Sequence, residues 1–295
     1  MSILVDKNTK VIVQGITGKA ATMHTKLMSA YGTNIVGGVT PGKRGILRED
    51  KLPVYDTIAE AVSKTDATCI ISFVPANSGK EAILEAIDSK IEIIVMVTEG
   101  IPVHDMLMVR QKIKDSSTQL IGPSTPGIIV PGRVKIGFLP ERACMPGSVG
   151  IISRSGTLSY EIAYRMTRAG IGQSTWIGIG GDPIRGLSFR ELLEKFASDP
   201  ETKLVLLVGE IGGADEESAA DYLMQGYEKP VVAYIAGRSA PKGKQMGHAG
   251  AIVQGEVGRY ETKILKLKQA NVKIANELDD VVHLIEQQGV SKKRK

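Results

Sequence analysis

Short apolar runs alternate with amphipathic stretches from one end of this chain to the other. Val11-Ile12-Val13-Gln14, Cys69-Ile70-Ile71-Ser72-Phe73-Val74 and Ile91-Glu92-Ile93-Ile94-Val95-Met96-Val97 read as strands. Between the last two, residues Lys80 to Ile87 set their apolar positions at helical spacing. Thr57-Ile58-Ala59-Glu60 carries the pattern of a capping box and opens a helix. Repeated strand–helix–strand units predict a parallel, doubly wound sheet. The rhythm breaks between Pro131 and Pro146, where Pro131-Gly132, Pro140 and Pro146-Gly147 mark a crossover. It then resumes with a strand at Val149-Gly150-Ile151-Ile152 and a helix from Thr157 to Ala169. Later strands fall at 204–208 and 231–235, and a helix at 278–288 closes the chain with His283 on its rim. The expected organisation is two α/β domains, 1–130 and 147–295, joined by the crossover 131–146.

Length agrees with that division, because 295 residues are natural for two domains. No run approaches the roughly 18 apolar residues of a membrane helix. The first residues, Met1-Ser2-Ile3-Leu4-Val5-Asp6-Lys7, lack the pattern of a signal peptide. Cys69 and Cys144 lie far apart and form neither a disulfide framework nor a zinc site, so a reducing cytoplasmic location and no metal are expected. The net charge of +5 owes part of its excess to the tail Lys292-Lys293-Arg294-Lys295, which reads as a solvated terminus. Aromatic residues make up 4% of the chain, too few for a stacking platform, and no nucleic-acid partner is expected.

Candidate chemistry clusters where strands end. Gly15-Ile16-Thr17-Gly18 follows the first strand and precedes a helix, the position at which an open parallel sheet holds a phosphate. The dinucleotide fingerprint is incomplete, since Thr17 stands at its middle glycine. After the second strand the usual ribose-binding carboxylate is missing, and Lys43 and Arg44 stand there instead. A lysine and an arginine hold a phosphate, so the pocket favours a nucleotide with an extra ribose phosphate, such as coenzyme A or NADP. Gly37 to Lys43 also fits the start of a P-loop, but Arg44 occupies the place of the Mg²⁺-binding hydroxyl. Thr98-Glu99-Gly100 forms a polar loop at the end of a later strand.

In the second half, Ser153-Arg154-Ser155-Gly156-Thr157 opens a helix and offers a second anion site through Ser153, Ser155 and Gly156. Glu210 lies between glycines at the end of a strongly apolar strand. His248 sits in Gly247-His248-Ala249-Gly250-Ala251, with Lys242 and Lys244 just upstream. An unobstructed histidine on a pliable backbone beside cations suits the transfer of a phosphoryl group. If Glu210 binds one imidazole nitrogen of His248, the other is left as the nucleophile.

Together these segments resemble the α subunit of succinyl-CoA synthetase, also called succinate–CoA ligase. The resemblance rests on Gly15 to Gly18, Gly37 to Lys43, Thr98 to Pro102, Ser153 to Leu158, Gly178 to Ile184, Gly209 to Gly213 and Ala240 to Ala251, in that order. It implies a Rossmann-like CoA-binding domain followed by a flavodoxin-like ligase domain. It places the phosphorylated histidine on His248 and the glutamate that steadies it on Glu210. CoA contacts fall on Thr17, Gly18, Lys19, Ala20, Lys43, Val97, Thr98 and Glu99, and Tyr160 faces the substrate. It also implies a β subunit of ATP-grasp fold holding ATP or GTP with Mg²⁺, in an αβ or α₂β₂ assembly. The implied reaction joins succinate to CoA through an acyl phosphate and a phosphohistidine.

Three places depart from the family pattern: Ser124-Thr125 in place of Asn-Cys, Lys19-Ala20-Ala21 in the CoA loop, and Arg185. Hydroxyls at Ser124 and Thr125 and a cation at Arg185 would favour a hydroxylated acid, making malate or citrate the alternative substrates. Two other classes remain in view, an NADP-dependent oxidoreductase and a CoA-sensing module without catalysis.

Overall fold

The computed structural model of the chain describes residues 2–290 except 47, 49, 242 and 254. Lys242 and the basic tail at 292–295 lie outside the described residues. The apolar runs of the first half become strands β1 (Val11–Gln14), β2 (Ile35–Val39), β3 (Val54–Tyr55), β4 (Cys69–Ser72), β5 (Ile93–Met96) and β6 (Gln119–Ile121). All pair in parallel, in the order β3-β2-β1-β4-β5-β6. β1, β4 and β5 are buried on both faces, as a parallel sheet covered by helices requires. The covering helices are α1 (Lys19–Tyr31), α2 (Ile58–Thr65), α3 (Gly79–Asp88) and α4 (Val103–Lys114). Thr57 caps α2 by accepting the Glu60 N–H, but Glu60 turns to the Asp56 N–H and to Arg44, so only half of the expected box forms.

This strand order is that of a dinucleotide-binding sheet. The order reverses between β1 and β4, and ligands bind there, outside the carboxyl ends of the strands. Gly15, Thr98 and Glu99 all lie at that edge. Gly37 and Gly38 belong to β2 itself and not to the loop after it. A Cβ on Gly38 would lie 2.4 Å from Ile16, so the glycine lets the phosphate-loop residue pack against the strand.

The second sheet comprises β7 (Gly127–Val130), β8 (Val134–Gly137), β9 (Pro146–Ser153), β10 (Gln173–Gly178), β11 (Leu204–Glu210), β12 (Val231–Ala236) and β13 (Lys273–Ala275). Its order is β13-β12-β11-β9-β10-β7-β8. The five strands from β13 to β10 are parallel and follow the flavodoxin-like arrangement. Helices α5 (Gly156–Arg168), α6 (Phe189–Ser198), α7 (Asp215–Leu223), α8 (Tyr260–Gln269) and α9 (Leu278–Gln287) cover it. His283 is exposed on α9, as its position in the apolar pattern requires.

The prolines between 131 and 146 do not mark a plain crossover. β7 and β8 form an antiparallel hairpin on the edge of the second sheet, so the change of sheet falls earlier, in the loop between β6 and β7. Glycines make this pairing possible: a Cβ on Gly127 would lie 2.0 Å from the carbonyl oxygen of Ile136. The two sheets are joined by direct bonds. Thr33 Oγ1 donates to the Lys135 carbonyl at 2.6 Å, Arg110 Nη1 to the Gly186 carbonyl at 2.6 Å, and the Leu187 N–H to the Leu120 carbonyl at 2.7 Å. The carboxyl edge of the first sheet is thereby held against the loops of the second.

Candidate active site

β11 is buried along its whole length and delivers Glu210 at its carboxyl end. The glycines that follow have positive φ, +90° at Gly212 and +62° at Gly213, and turn the chain sharply into α7. The His248 loop comes to meet this turn. Its backbone is tied by the Gly250 N–H to the Gly181 carbonyl at 2.9 Å and by the Met246 N–H to the Ala251 carbonyl at 2.9 Å. The imidazole lies directly over Gly181, where a Cβ would sit 2.3 Å from the ring. In this position His248 Nδ1 is 2.7 Å from Glu210 Oε2. A carboxylate beside Nδ1 fixes the proton there and leaves Nε2 as the free nitrogen. The His248 side chain is 31% exposed while that of Glu210 is 7% exposed, so the ring can be reached and its partner cannot.

The hydrogen bond to Glu210 raises the His248 pKa above the ordinary value of 6.5, against burial, which lowers it. The Glu210 charge and Asp182 also raise it, and Arg154 lowers it. Asp182 is itself a buried carboxyl, pushed up by burial and then by the nearby Glu99 charge. It accepts a hydrogen bond from the Gly100 N–H. Glu99 and Gly100, in the loop after β5, therefore lie beside Asp182, which in turn lies beside His248.

Sequence reasoning missed what lies beneath Glu210. Arg154 is 1% exposed, and Glu216 and Lys263 are fully buried. Arg154 Nη1 donates to Glu216 Oε1 at 3.2 Å, and Lys263 Nζ donates to Glu216 Oε2 at 2.5 Å and Glu217 Oε2 at 2.9 Å. Burial drives Glu216 up, but Arg154 and Lys263 outweigh it and hold the carboxyl at about 2. No spacing rule pointed to these residues. Asp215, Glu216 and Glu217 read as the acidic first turn of a helix, and nothing local places Lys263 against them.

At the first sheet, Thr17, Gly18, Lys19, Ala20 and Lys43 are all exposed. Gly18 caps α1 without a side-chain bond, and the first turn holds no acidic residue, so its N–H groups stay open to an anion. Thr17 Oγ1 reaches Thr40 Oγ1 at 3.2 Å and ties the phosphate loop to the loop that carries Lys43. Arg44, expected to share the phosphate, pairs instead with Glu60 at 2.9 Å, because α2 brings that carboxylate within reach. Thr98 Oγ1 donates to the Val74 carbonyl at 2.5 Å, Val97 is half-buried against the core, and Glu99 is exposed.

Several expected contacts are corrected by the geometry. Thr125 Oγ1 donates to the Gly178 carbonyl and accepts the Gly127 N–H, so it is buried inside the fold and cannot read a substrate hydroxyl. Ser124 is different. It adopts a φ of +58° and is half-buried, and its hydroxyl has no hydrogen-bond partner among the described residues. Ser153 Oγ donates to the Ser155 carbonyl at 2.7 Å and is fully buried, and Ser155 Oγ accepts the Leu158 N–H at 3.3 Å as an ordinary N-cap. What remains for an anion there is the backbone of Gly156 and the first turn of α5. Arg185 reaches Asp215 at 3.0 Å and the Asp182 carbonyl at 2.7 Å, so its charge braces the loop. Tyr160 packs edge-on to Trp176 at 5.7 Å with its hydroxyl close to Gly156, and burial pushes it up to about 12.

A family profile described as CoA binding domain matches residues 6–100, and one described as CoA-ligase matches residues 152–273. The chain is 52% identical to succinate–CoA ligase [ADP-forming] subunit alpha 1 of Archaeoglobus fulgidus, over 96% of each chain. It is 51% identical to the corresponding α subunit of Aquifex aeolicus, over 92% of this chain and 89% of that one. The chain belongs to the succinate–CoA ligase α-subunit family. Among solved structures, the ATP citrate lyase of Methanothrix soehngenii in complex with citrate and coenzyme A superposes with a TM-score of 0.88 at 26% identity. The match covers 99% of this chain and 52% of the lyase, so the chain spans about half the length of that protein. The CoA-binding profile contains Thr17 to Ala20, Lys43 and Val97 to Glu99, and the ligase profile contains Glu210 and His248.

Proposed function

We propose that this chain is the α subunit of a cytoplasmic succinate–CoA ligase in which His248 carries the phosphoryl group between partners. The observation that supports this most directly is the 2.7 Å bond between Glu210 Oε2 and His248 Nδ1, with Nε2 left free on the accessible side of the ring. In the direction of ligation Nε2 attacks the γ-phosphorus of the nucleoside triphosphate and the diphosphate leaves; a carboxylate oxygen of the acid then takes the phosphoryl group from Nε2, and the CoA thiol displaces inorganic phosphate from the resulting acyl phosphate. Glu210 compensates the positive charge that develops on the ring. The first turn of α5, with Gly156 at its start, offers N–H groups to the phosphate oxygens. A nucleoside triphosphate with Mg²⁺ is assigned to a β subunit of ATP-grasp fold.

Coenzyme A fits the first sheet. The uncapped start of α1 suits its pyrophosphate, and exposed Lys43, free of ion pairs among the described residues, suits its ribose phosphate. When bound, CoA supplies the thiol that takes the acyl group. Thr98 and Glu99 lie at the same carboxyl edge, next to Asp182 and the His248 loop. We assign this role to the unit ending in the loop before β7, and the ligase role to the remainder.

Succinate leads among acids. Thr125 is occupied within the fold, which leaves Ser124 as the hydroxyl of that loop able to meet a substrate. The test is to purify the chain with its β partner and measure kcat/KM for CoA ligation of succinate, malate and citrate. Succinate should be preferred, and Ser124→Asn should raise the succinate-to-malate ratio. Preference for another acid in the wild type contradicts the assignment of substrate, and absence of CoA ligation contradicts the function.

A further inference from the structure

Arg154 stands between two serines at the start of α5, in the loop that offers a backbone anion site. A cation there is expected to face the anion. It faces the opposite way and is almost wholly buried, with its guanidinium beneath the Glu210–His248 pair. Nη1 donates to the Glu210 carbonyl at 3.1 Å, the Gly212 carbonyl at 2.9 Å and Glu216 Oε1 at 3.2 Å. Nη2 reaches the Gly250 carbonyl at 3.4 Å, two residues from His248. It also lies 3.2 Å from Glu210 Oε1, off the line of a hydrogen bond, so that oxygen is held by charge alone. One planar fork thus grips both loops that carry the pair. Glu216 completes the grip, because its Oε1 accepts the Glu210 N–H at 3.0 Å while Lys263 holds its other oxygen.

We propose that Arg154 is the positioning residue of this site: its guanidinium locks the Glu210 and His248 loops in register, so that Glu210 covers Nδ1 and only Nε2 receives the phosphoryl group. This rests on the phosphohistidine reading above. The fork geometry matters as well as the charge, since a lysine ammonium is a point charge and cannot span the same carbonyls and carboxylates at once. The charges also fit the chemistry. Two cations, Arg154 and Lys263, face three carboxylates, Glu210, Glu216 and Glu217, so the cluster has one negative charge to spare for an imidazole that becomes cationic. Apart from Glu210, the groups that act on His248 are Arg154 from the start of α5 and Asp182 from the loop after β10.

The experiment uses the complex with its β partner and ATP–Mg²⁺ as phosphoryl donor, with the phosphohistidine isomer read by NMR in denatured digests. The wild type should carry phosphate on Nε2 alone. Arg154→Lys should fold, take up phosphate roughly 10–100-fold more slowly, and show Nδ1-phosphate beside the Nε2 isomer. Its His248 titration should fall toward that of a free imidazole as the Glu210 contact loosens. Glu216→Gln, which weakens the anchor of the same fork, should shift both readouts in the same direction. If the lysine variant does not fold, the glutamine variant decides by the same readouts. A merely structural arginine predicts labelling reduced in proportion to folded protein, with a single isomer and an unchanged titration, and that result overturns the proposal. Nδ1-phosphate in the wild type overturns it too. A wild type that takes no label contradicts the phosphohistidine reading itself, which separates the two failures.

Discussion

In the proposed function, the chemistry turns on which nitrogen of His248 is free. Glu210 raises the His248 pKa, so at neutral pH more of the ring is protonated than in a free histidine. A protonated ring cannot attack phosphorus. The rate of histidine phosphorylation should therefore rise with pH through the raised value. Glu210→Gln removes the charge but keeps the shape, and should move that profile to lower pH while lowering its plateau about 10- to 100-fold. The chain has four histidines, so NMR titration can follow His248 as a single resolved signal. A His248 titration that does not move down in the glutamine variant contradicts the assigned partnership. At this scale the sequence was informative: the small residues around His248, and the place of Glu210 between glycines at a strand end, singled out two residues that the fold brings within 2.7 Å of each other. The hydroxyls were misleading. Ser153 and Thr125 look like ligands in sequence because hydroxyls serve anion sites, yet the backbone uses both of them.

Elements place these residues, and here buried charge does the placing. β11, α5, α7 and α8 meet at Glu216, whose carboxyl is held at about 2 by the two cations against its burial. Removing it leaves Arg154 with Glu210 and Lys263 with Glu217 as their remaining carboxylates, and takes away the buried acceptor that both cations share. Glu216→Ala should cost about 3–5 kcal/mol of stability, measured by denaturant unfolding. The sign with pH follows from the depressed value. Glu216 contributes stability that is fully present above the ordinary carboxyl value of 4.5 and is lost as pH falls toward 2. The variant should thus lose less stability than the wild type across that window. A variant as stable as the wild type at neutral pH contradicts this account. The apolar rhythm predicted the strands that build this junction, since strand periodicity is a local signal. It could not predict the ion network, which joins residues up to 109 positions apart through tertiary packing alone. Nor did it find the β7–β8 hairpin, because its glycines and prolines read as breakers while serving close backbone contact.

At the scale of the molecule, two open sheets are joined so that the loop after β5 lies beside Asp182 and His248. The first matches a CoA-binding profile and the second a CoA-ligase profile. The fold class was legible from alternation alone. The junction between the two sheets was not, because it depends on bonds such as those from Arg110 to Gly186 and from Gly100 to Asp182 that no local pattern encodes. If the first sheet holds CoA by its ribose phosphate, calorimetry should show CoA binding more tightly than dephospho-CoA. Lys43→Ala should erase most of the difference, roughly 1–3 kcal/mol. Equal binding of the two ligands by the wild type contradicts that placement. The central claim concerns the second sheet and is tested most directly by labelling. The complex incubated with ATP or GTP labelled at the γ-phosphate, together with Mg²⁺, should carry acid-labile phosphate on His248. His248→Asn should abolish both the label and CoA ligation. Label persisting on another residue, or ligation that survives without His248, contradicts the account.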